Sequence, residues 1–248
     1  MRDIFRAYIA RLFRNKLFLA GTALAFAITY YITANGLTIH RFGMYETDFD
    51  YTLTVSLGIP CFFSVFTASF LGTEYSEGTI RNKIAGGKTR TGIYAASFAV
   101  MAAALLTMTA AWLAGGLLGA NTLPDSVFIV QSAAKVFFYN LANIAVLVLL
   151  SMMITKPRIS IVLEFCIFEF GAFAALAFQG LMVIAKDGAY SVLRFLNNFL
   201  PFGQWLTSSL LGDREYMMSF GTLTCFSLMI TAAMTAAGLV LIRKKDIK

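Results

Sequence analysis

The sequence predicts an all-α integral membrane protein with six transmembrane helices, and three observations carry that expectation. The 248 residues are 58% hydrophobic, with a mean hydropathy of +0.73, and only 13% are charged. A soluble domain carries about 25% charged residues and could not hide so much apolar surface. Six apolar runs, 17–34, 51–71, 93–119, 128–154, 159–185 and 219–242, are long enough for the ~20 residues a crossing needs. None of them alternates as a barrel strand would. Finally, the cations cluster at alternate ends of these runs. Arg2, Arg6, Arg11, Arg14 and Lys16 precede the first. Arg81, Lys83, Lys88 and Arg90 lie between the second and third, and Lys156 and Arg158 between the fourth and fifth. Arg243, Lys244, Lys245 and Lys248 follow the sixth, which puts 15 of the 20 Lys and Arg on one side. The other connections carry Glu46, Asp48, Asp50, Asp125, Asp187, Asp213 and Glu215. By the positive-inside rule both termini are cytoplasmic.

Residues 1–16 have their own pattern. Ile4, Phe5, Tyr8, Ile9, Leu12 and Phe13 recur at helical spacing, with Asp3, Arg6, Arg11 and Arg14 on the other face. This predicts an interfacial amphipathic helix whose cations meet anionic headgroups. A signal peptide cleaved near Ala25 is the competing reading, but a signal core runs only ~7–15 residues and this apolar run continues to Ala34. The expected organisation is one permease-like domain over 1–248, with the interfacial helix at 1–16, the bundle at 17–242 and a cytoplasmic tail at 243–248.

Cys61, Cys166 and Cys225 all fall inside apolar runs, and His40 is the only histidine. That composition offers neither a zinc set nor a His-dependent triad, and no metal site is expected. The net charge of +7 resides mostly in residues flanking spans, so nucleic acid is not an expected partner, whereas membrane lipids are.

The most polar stretch is EYSEGTIRNKIAGGKTR, residues 74–90. Its Gly87-Lys88-Thr89 ends like a P-loop, but the first glycine of that motif would fall at Asn82, and a span rather than a strand lies upstream. A short helix over 76–85 is expected instead. Ser76 would be its N-cap, Glu77 would sit in its first turn and Gly86-Gly87 would stop it. Glu74 and Glu77 at its start, Arg81 and Lys83 later in it and Lys88 and Arg90 beyond it would complement its dipole. Ile80 and Ile84, one turn apart, give it an apolar edge, and so short a helix needs a surface to dock on.

This stretch resembles the cytoplasmic segment after the second span in permease subunits of the type-2 family of ATP-binding-cassette exporters. The matching positions are Glu74, Tyr75, Glu77, Gly78, Thr79, Ile80, Arg81, Gly86 and Arg90, under a tenth of the chain. The number of spans, their orientation and the N-terminal amphipathic helix agree with that family. The doubled glycine Gly86-Gly87 departs from it and would loosen the helix exit. The resemblance implies a coupling helix, with Glu74, Tyr75, Glu77, Gly78, Thr79, Ile80, Arg81 and Asn82 engaging a separate ATPase. It implies two ATPase copies that bind ATP and Mg, and a second permease copy or a paralogue. It also implies no cofactor and no catalysis in this chain, in the cytoplasmic membrane of a bacterium.

Within the spans, Glu164 and Glu169 stand out, because a mid-bilayer carboxylate costs about 2.5–3.5 kcal/mol on insertion scales. Glu164 is about 9 Å beyond Arg158 by helical rise and is expected to reach headgroups or a cation. Glu169 is about 16 Å beyond it, near the midplane. About 140° of helix separates the two carboxylates, so they form no catalytic pair. Asn140 and Asn143 fall at the depth of Glu169 and are its expected hydrogen-bond partners, either as a polar pathway lining or as a structural bond between helices. The third span carries small residues, among them Ala96, Ala103, Gly115 and Gly119, which allow close helix approach within the chain or between subunits.

Residues 189–212 are too apolar for an aqueous loop and too broken by Asn197-Asn198, Pro201 and Gly203 to span. One or two outer re-entrant or interfacial helices are expected, with Phe199, Pro201, Phe202 and Trp205 near the headgroups, or else a buried packing segment. The function that follows is export of hydrophobic or amphipathic cargo such as a peptide, drug or lipid. The alternative is a non-transport scaffold, or an immunity or sensor protein that binds a lipid-active peptide. An intramembrane enzyme lacks the residues it would need.

Overall fold

Residues 2–35, 47–208 and 216–245 are described in the computed structural model. His40, Glu46, Asp213, Glu215, Lys248 and the end of the 189–212 stretch lie outside them. Eleven α-helices are found among the described residues, and no strand. They are α1 (Arg2–Leu12), α2 (Lys16–Ala34), α3 (Tyr51–Val55), α4 (Gly58–Ser76), α5 (Thr79–Ala85), α6 (Arg90–Gly119), α7 (Ser126–Met153), α8 (Pro157–Ile184), α9 (Asp187–Phe199), α10 (Pro201–Ser208) and α11 (Phe220–Lys244). Six helical stretches are long and apolar enough to cross a membrane: α2, the Asp48–Ser76 run containing α3 and α4, then α6, α7, α8 and α11. The chain is a multi-pass membrane protein by that measure.

Local chemistry sets the boundaries. Asn15 caps α2 by accepting from Phe18 N at 3.1 Å, Thr89 caps α6 from Gly92 N at 3.1 Å, and Ser219 caps α11 from Thr222 N at 3.3 Å. Pro157 opens α8, where a missing N–H costs nothing. The second span is broken at residues 56–57, between Val55 and Gly58, three to four residues before Pro60 of α4. Pro60 has no N–H to give to the residue four back, so the turn at 56–57 relaxes there.

The spans alternate in direction. The start of α2, the ends of α4, α7 and α11, and the starts of α6 and α8 meet at one end, joined by α1 and α5. Because the clustered cations sit there, this is called the basic end below. At the opposite end a short 3₁₀ turn, Asp48–Asp50, precedes α3. Asp48 there accepts from the backbone N–H groups of Asn121 and Thr122, at 3.3 and 3.2 Å, and pins the α6–α7 connection.

Inside the bundle α4, α6 and α7 are the most enclosed, while α2, α8 and α11 lie at the periphery. The α2–α6 contact rests on the small residues of α6. A Cβ on Gly115 would meet the carbonyl oxygen of Phe26 at 2.5 Å, and one on Gly119 that of Tyr30 at 2.6 Å. These glycines therefore serve packing within the chain. Trp112, fully buried on the same helix, donates from Nε1 to the Thr52 carbonyl at 2.7 Å.

The exposed surface runs opposite to that of a soluble protein. Phe170, Val183 and Ile184 on α8 are more than 70% exposed, while Glu164 on the same helix is fully buried. On α9, Val192, Phe195 and Leu196 face outward, and Asn197 and Asn198 are fully buried. This arrangement suits a hydrocarbon surround, where polar groups must find partners inside the protein.

Candidate functional site

At the basic end the residues singled out by sequence divide into two groups. Glu74 belongs to the last turns of α4 and is 3% exposed. Its carboxylate is bonded by Tyr8 of α1 at 3.0 Å, by the Arg11 guanidinium and by the Lys83 ammonium of α5. Arg11 also reaches the Thr73 hydroxyl and the Phe70 carbonyl, and stacks on the Phe70 ring at 4.5 Å. One carboxylate thus ties α1, α4 and α5 together. Burial, opposed by the bond to Glu74, lowers the Lys83 pKa. Burial first, and then the charge of Glu74, raises the Tyr8 phenol well above its usual range.

The short helix starts later than expected. Ser76 is the last residue of α4 and does not cap α5, and Glu77 is the C-cap of α4 rather than a first-turn residue of α5. The α4 ladder simply continues, with Glu77 N donating to Thr73 O at 3.0 Å. The true hinge is Gly78, left-handed at φ 65°, which both ends α4 and precedes Thr79. The Thr79 hydroxyl donates back to the Glu74 carbonyl at 3.0 Å and satisfies an end group of α4. The expected dipole complement from Glu74 and Glu77 is thus replaced by a direct Glu74–Lys83 pair.

The doubled glycine closes the helix tightly, contrary to the looser exit expected. Gly87, at φ 80°, donates to Ile84 O, and Lys88 N donates to Lys83 O, both at 3.0 Å. These two bonds make a Schellman motif. The apolar edge also finds its surface within the chain. Ile80 is 1% exposed and belongs to the main core, and Ile84 packs against that core. The edge therefore does not by itself call for a second protein. What α5 leaves outward is polar: Arg81 and Asn82, with Glu77 just before them, are exposed, and their side chains make no ion pair or hydrogen bond among the described residues.

Tyr75 faces a different neighbour. Its hydroxyl donates to the Met152 carbonyl at the end of α7, at 2.6 Å, and Lys245 donates to both, at 3.0 and 2.8 Å, while lying 4.1 Å over the Tyr75 ring. Arg90 bonds the backbone carbonyls of Arg243 and Lys245. Lys245 and Arg90 thereby clip together the basic-end termini of α4, α6, α7 and α11, a role that charge counting alone did not reveal. Arg11 likewise departs from the headgroup-facing role expected for it. It lies at the border of the two faces of α1, and the stripe Ile4, Tyr8 and Leu12 is buried against the bundle.

Deeper in the bundle the polar residues do not meet as expected. Glu164 reaches neither headgroups nor a cation. It is fully buried and accepts from Ser151 of α7 at 2.6 Å and from Ser160, one turn earlier on α8, at 2.7 Å. The Ser160–Glu164 spacing was legible as a same-face pair; Ser151 was not. Glu169 is half-buried beside Cys61 of α4. Its expected partners lie elsewhere. Asn140 donates to the Val136 carbonyl of its own helix at 2.7 Å, and the Nδ2 of Asn143 has no protein acceptor. Equal depth on two helices did not make them neighbours, because α8 packs chiefly on α4 rather than on α7.

The segment after α8 forms two helices. The break at Leu200 is extended, as the residue before a proline prefers. The α9–α10 corner reaches Gly171, about 21 Å along α8 from Pro157 by helical rise, with Phe202 5.3 Å from Phe168. Trp205 is 5% exposed and packed within the chain, as in the buried-packing alternative, while Phe199 stays partly exposed against Phe226. Gly203 admits the Asn197 carbonyl at 1.8 Å from where a Cβ would stand. Asn198 and Arg194 bind the Tyr216 and Met217 carbonyls, and Ser227 of α11 donates to Gln204 at 2.5 Å.

With this geometry in hand, comparison with known proteins adds no relative. The chain matches no family model and no curated protein.

Proposed function

We propose that this chain is the permease subunit of an ATP-driven exporter of the type-2 ATP-binding-cassette family, with α5 as its coupling helix. In this reading the basic end faces the cytoplasm of a bacterium, α1 lies along the membrane surface, and the α9–α10 corner enters from the outer side. Two copies of a separate ATPase bind ATP and Mg, and a second copy or a paralogue of this chain completes the pathway. The chain itself performs no chemistry. Its cargo is hydrophobic or amphipathic: a peptide, a drug or a lipid.

The observation that carries the reading is the mounting of α5. A seven-residue helix has little stability alone, yet this one is fixed by Glu74, by Ile80 and by a Schellman closure. Its remaining face presents Arg81 and Asn82 outward, with Glu77 exposed just before it. A short helix held this firmly moves as one body with α4, which is what transmission of a partner's motion requires. A loop that merely obeyed the positive-inside rule would need none of these bonds.

The test is affinity purification of the full chain from its native membrane, followed by ATPase assay of the co-purifying complex. Arg81→Glu is the informative variant because Arg81 is exposed, whereas Glu74→Ala also dismantles the α1–α4–α5 junction. The expected result is a co-purifying nucleotide-hydrolysing subunit whose recovery and activity fall at least tenfold with Arg81→Glu, at unchanged helicity of the chain. Absence of any such subunit, or nucleotide hydrolysis by the purified chain alone, would overturn the proposal.

A further inference from the structure

At the basic end, the start of α1, the start of α6 and the end of α11 surround a cleft of about 600 Å³. Lys88, Thr91 and Arg243 line it next to the helix ends, and Ile4, Ala95 and Leu239 give it apolar walls. Ala95 is five residues into α6 from Arg90, and Leu239 is four residues before Arg243 on α11. By helical rise both lie about 6–7 Å deeper along the spans than the cations. The cleft thus has a charged half at the helix ends and an apolar half one turn further in.

The charged half is short of anions. Arg243 is exposed, and its guanidinium makes no hydrogen bond or ion pair among the described residues. Lys88 meets only Asp3 among them, at 3.4 Å, with side chains 39% and 79% exposed. Such a pair is worth little, and one carboxylate cannot balance two cations. An added phosphate would match the guanidinium fork and take the ammonium as a second point charge. Depth then selects what carries the phosphate. Free phosphate, or an acidic peptide arriving from water, would meet the cations and leave Ala95 and Leu239 uncovered. A phospholipid carries its phosphate and its apolar chains in the same order as the two halves of the cleft. Val240 and Leu241, beside the cleft on α11, are 53% and 45% exposed, so the apolar wall continues outward into the hydrocarbon.

We infer that this cleft is a binding site for one anionic phospholipid, with Lys88 and Arg243 on its phosphate and Ala95 and Leu239 along the upper part of its chains. The bound lipid would bridge α1, α6 and α11. The site is distinct from the outward face of α1, whose Arg6 and Arg14 are exposed on a convex surface and attract headgroups without enclosing one. It lies within one chain and needs neither an ATPase nor a second copy, so it stands apart from the export reading.

The experiment uses the purified full chain in phosphatidylcholine nanodiscs containing a trace of phosphatidylglycerol with a diazirine near the glycerol end of one acyl chain. Phosphatidylcholine with the same diazirine is the zwitterionic control, and adducts are mapped by peptide mass spectrometry after irradiation. Phosphatidylglycerol adducts are expected to concentrate on the peptides bearing residues 88–95 and 239–243, and to exceed those of the control there at least about fivefold, the ratio one cation supplies. Arg243→Gln should lower them about fivefold, and the double change with Lys88→Gln should remove the preference. Thr91→Trp, which obstructs the cleft and keeps both cations, should lower them as well. Arg6→Gln, which removes the same charge from the outer face of α1, should leave them unchanged. Equal labelling by the two lipids, or an equal loss with Arg6→Gln, would overturn the assignment in favour of diffuse surface attraction. Loss of the adducts on adding millimolar inorganic phosphate would overturn it in favour of a free anion.

Discussion

Lys245 shows how one residue can join several helix ends and what that costs. Its ammonium sits between the Tyr75 ring, the Tyr75 hydroxyl and the Met152 carbonyl, and burial lowers its pKa from 10.5 to about 8. Between about pH 8 and 10.5 the unfolded chain therefore binds more protons than the folded one, and stability rises with pH over that window. Lys83 acts in the same direction, because burial lowers it too. Above about pH 10 the raised Tyr8 reverses the trend, since the unfolded phenol ionises first. Thermal unfolding in detergent should thus show a melting temperature that climbs from pH 8 to about 10. Lys245→Met should flatten most of that climb. None of these three environments was legible in the sequence. Tyr8 and Lys83 lie 75 residues apart and Lys245 lies at the far end of the chain, so only the folded arrangement brings each to its partners.

At the scale of elements, periodicity and end signals located the six spans to within a few residues, because apolar length is a local property of the sequence. The short α5 was harder to place. Ser76 carries a good capping side chain, but an α4 already in progress extends through it at no nucleation cost, and Gly78 supplies the left-handed turn instead. Glycines with different roles should also respond differently. Gly87→Ala puts a side chain at φ 80° in open space, a backbone penalty of about 1 kcal/mol. It should accelerate hydrogen exchange at residues 79–85 and leave the spans unchanged. Gly119→Ala places a Cβ 2.6 Å from the Tyr30 carbonyl oxygen. The backbones of α2 and α6 must then separate, at about 1–3 kcal/mol, and exchange should rise along both helices. Composition flagged the small residues of α6; that Gly115 and Gly119 pack on α2 came only from the folded arrangement.

For the whole molecule, apolar surface outside and Glu164, Asn140, Asn197 and Asn198 inside make one consistent picture of a chain folded in lipid. The sequence carried that far because hydropathy sums over many residues and tolerates local error. It did not carry to the pairing of Asn140 and Asn143 with Glu169, since depth along a helix says nothing about rotation around it. The functional account rests on the basic end facing the cytoplasm, with the outward edge of α5 open to an ATPase. The most direct measurement is labelling with a membrane-impermeant maleimide, after replacing Cys61, Cys166 and Cys225 and introducing Asn82→Cys at α5 or Asn121→Cys at the other end. Asn82→Cys should label only in inverted vesicles and lose that labelling when the co-purifying ATPase is bound, while Asn121→Cys should label only on intact cells. Labelling of Asn82→Cys from outside intact cells would contradict the account.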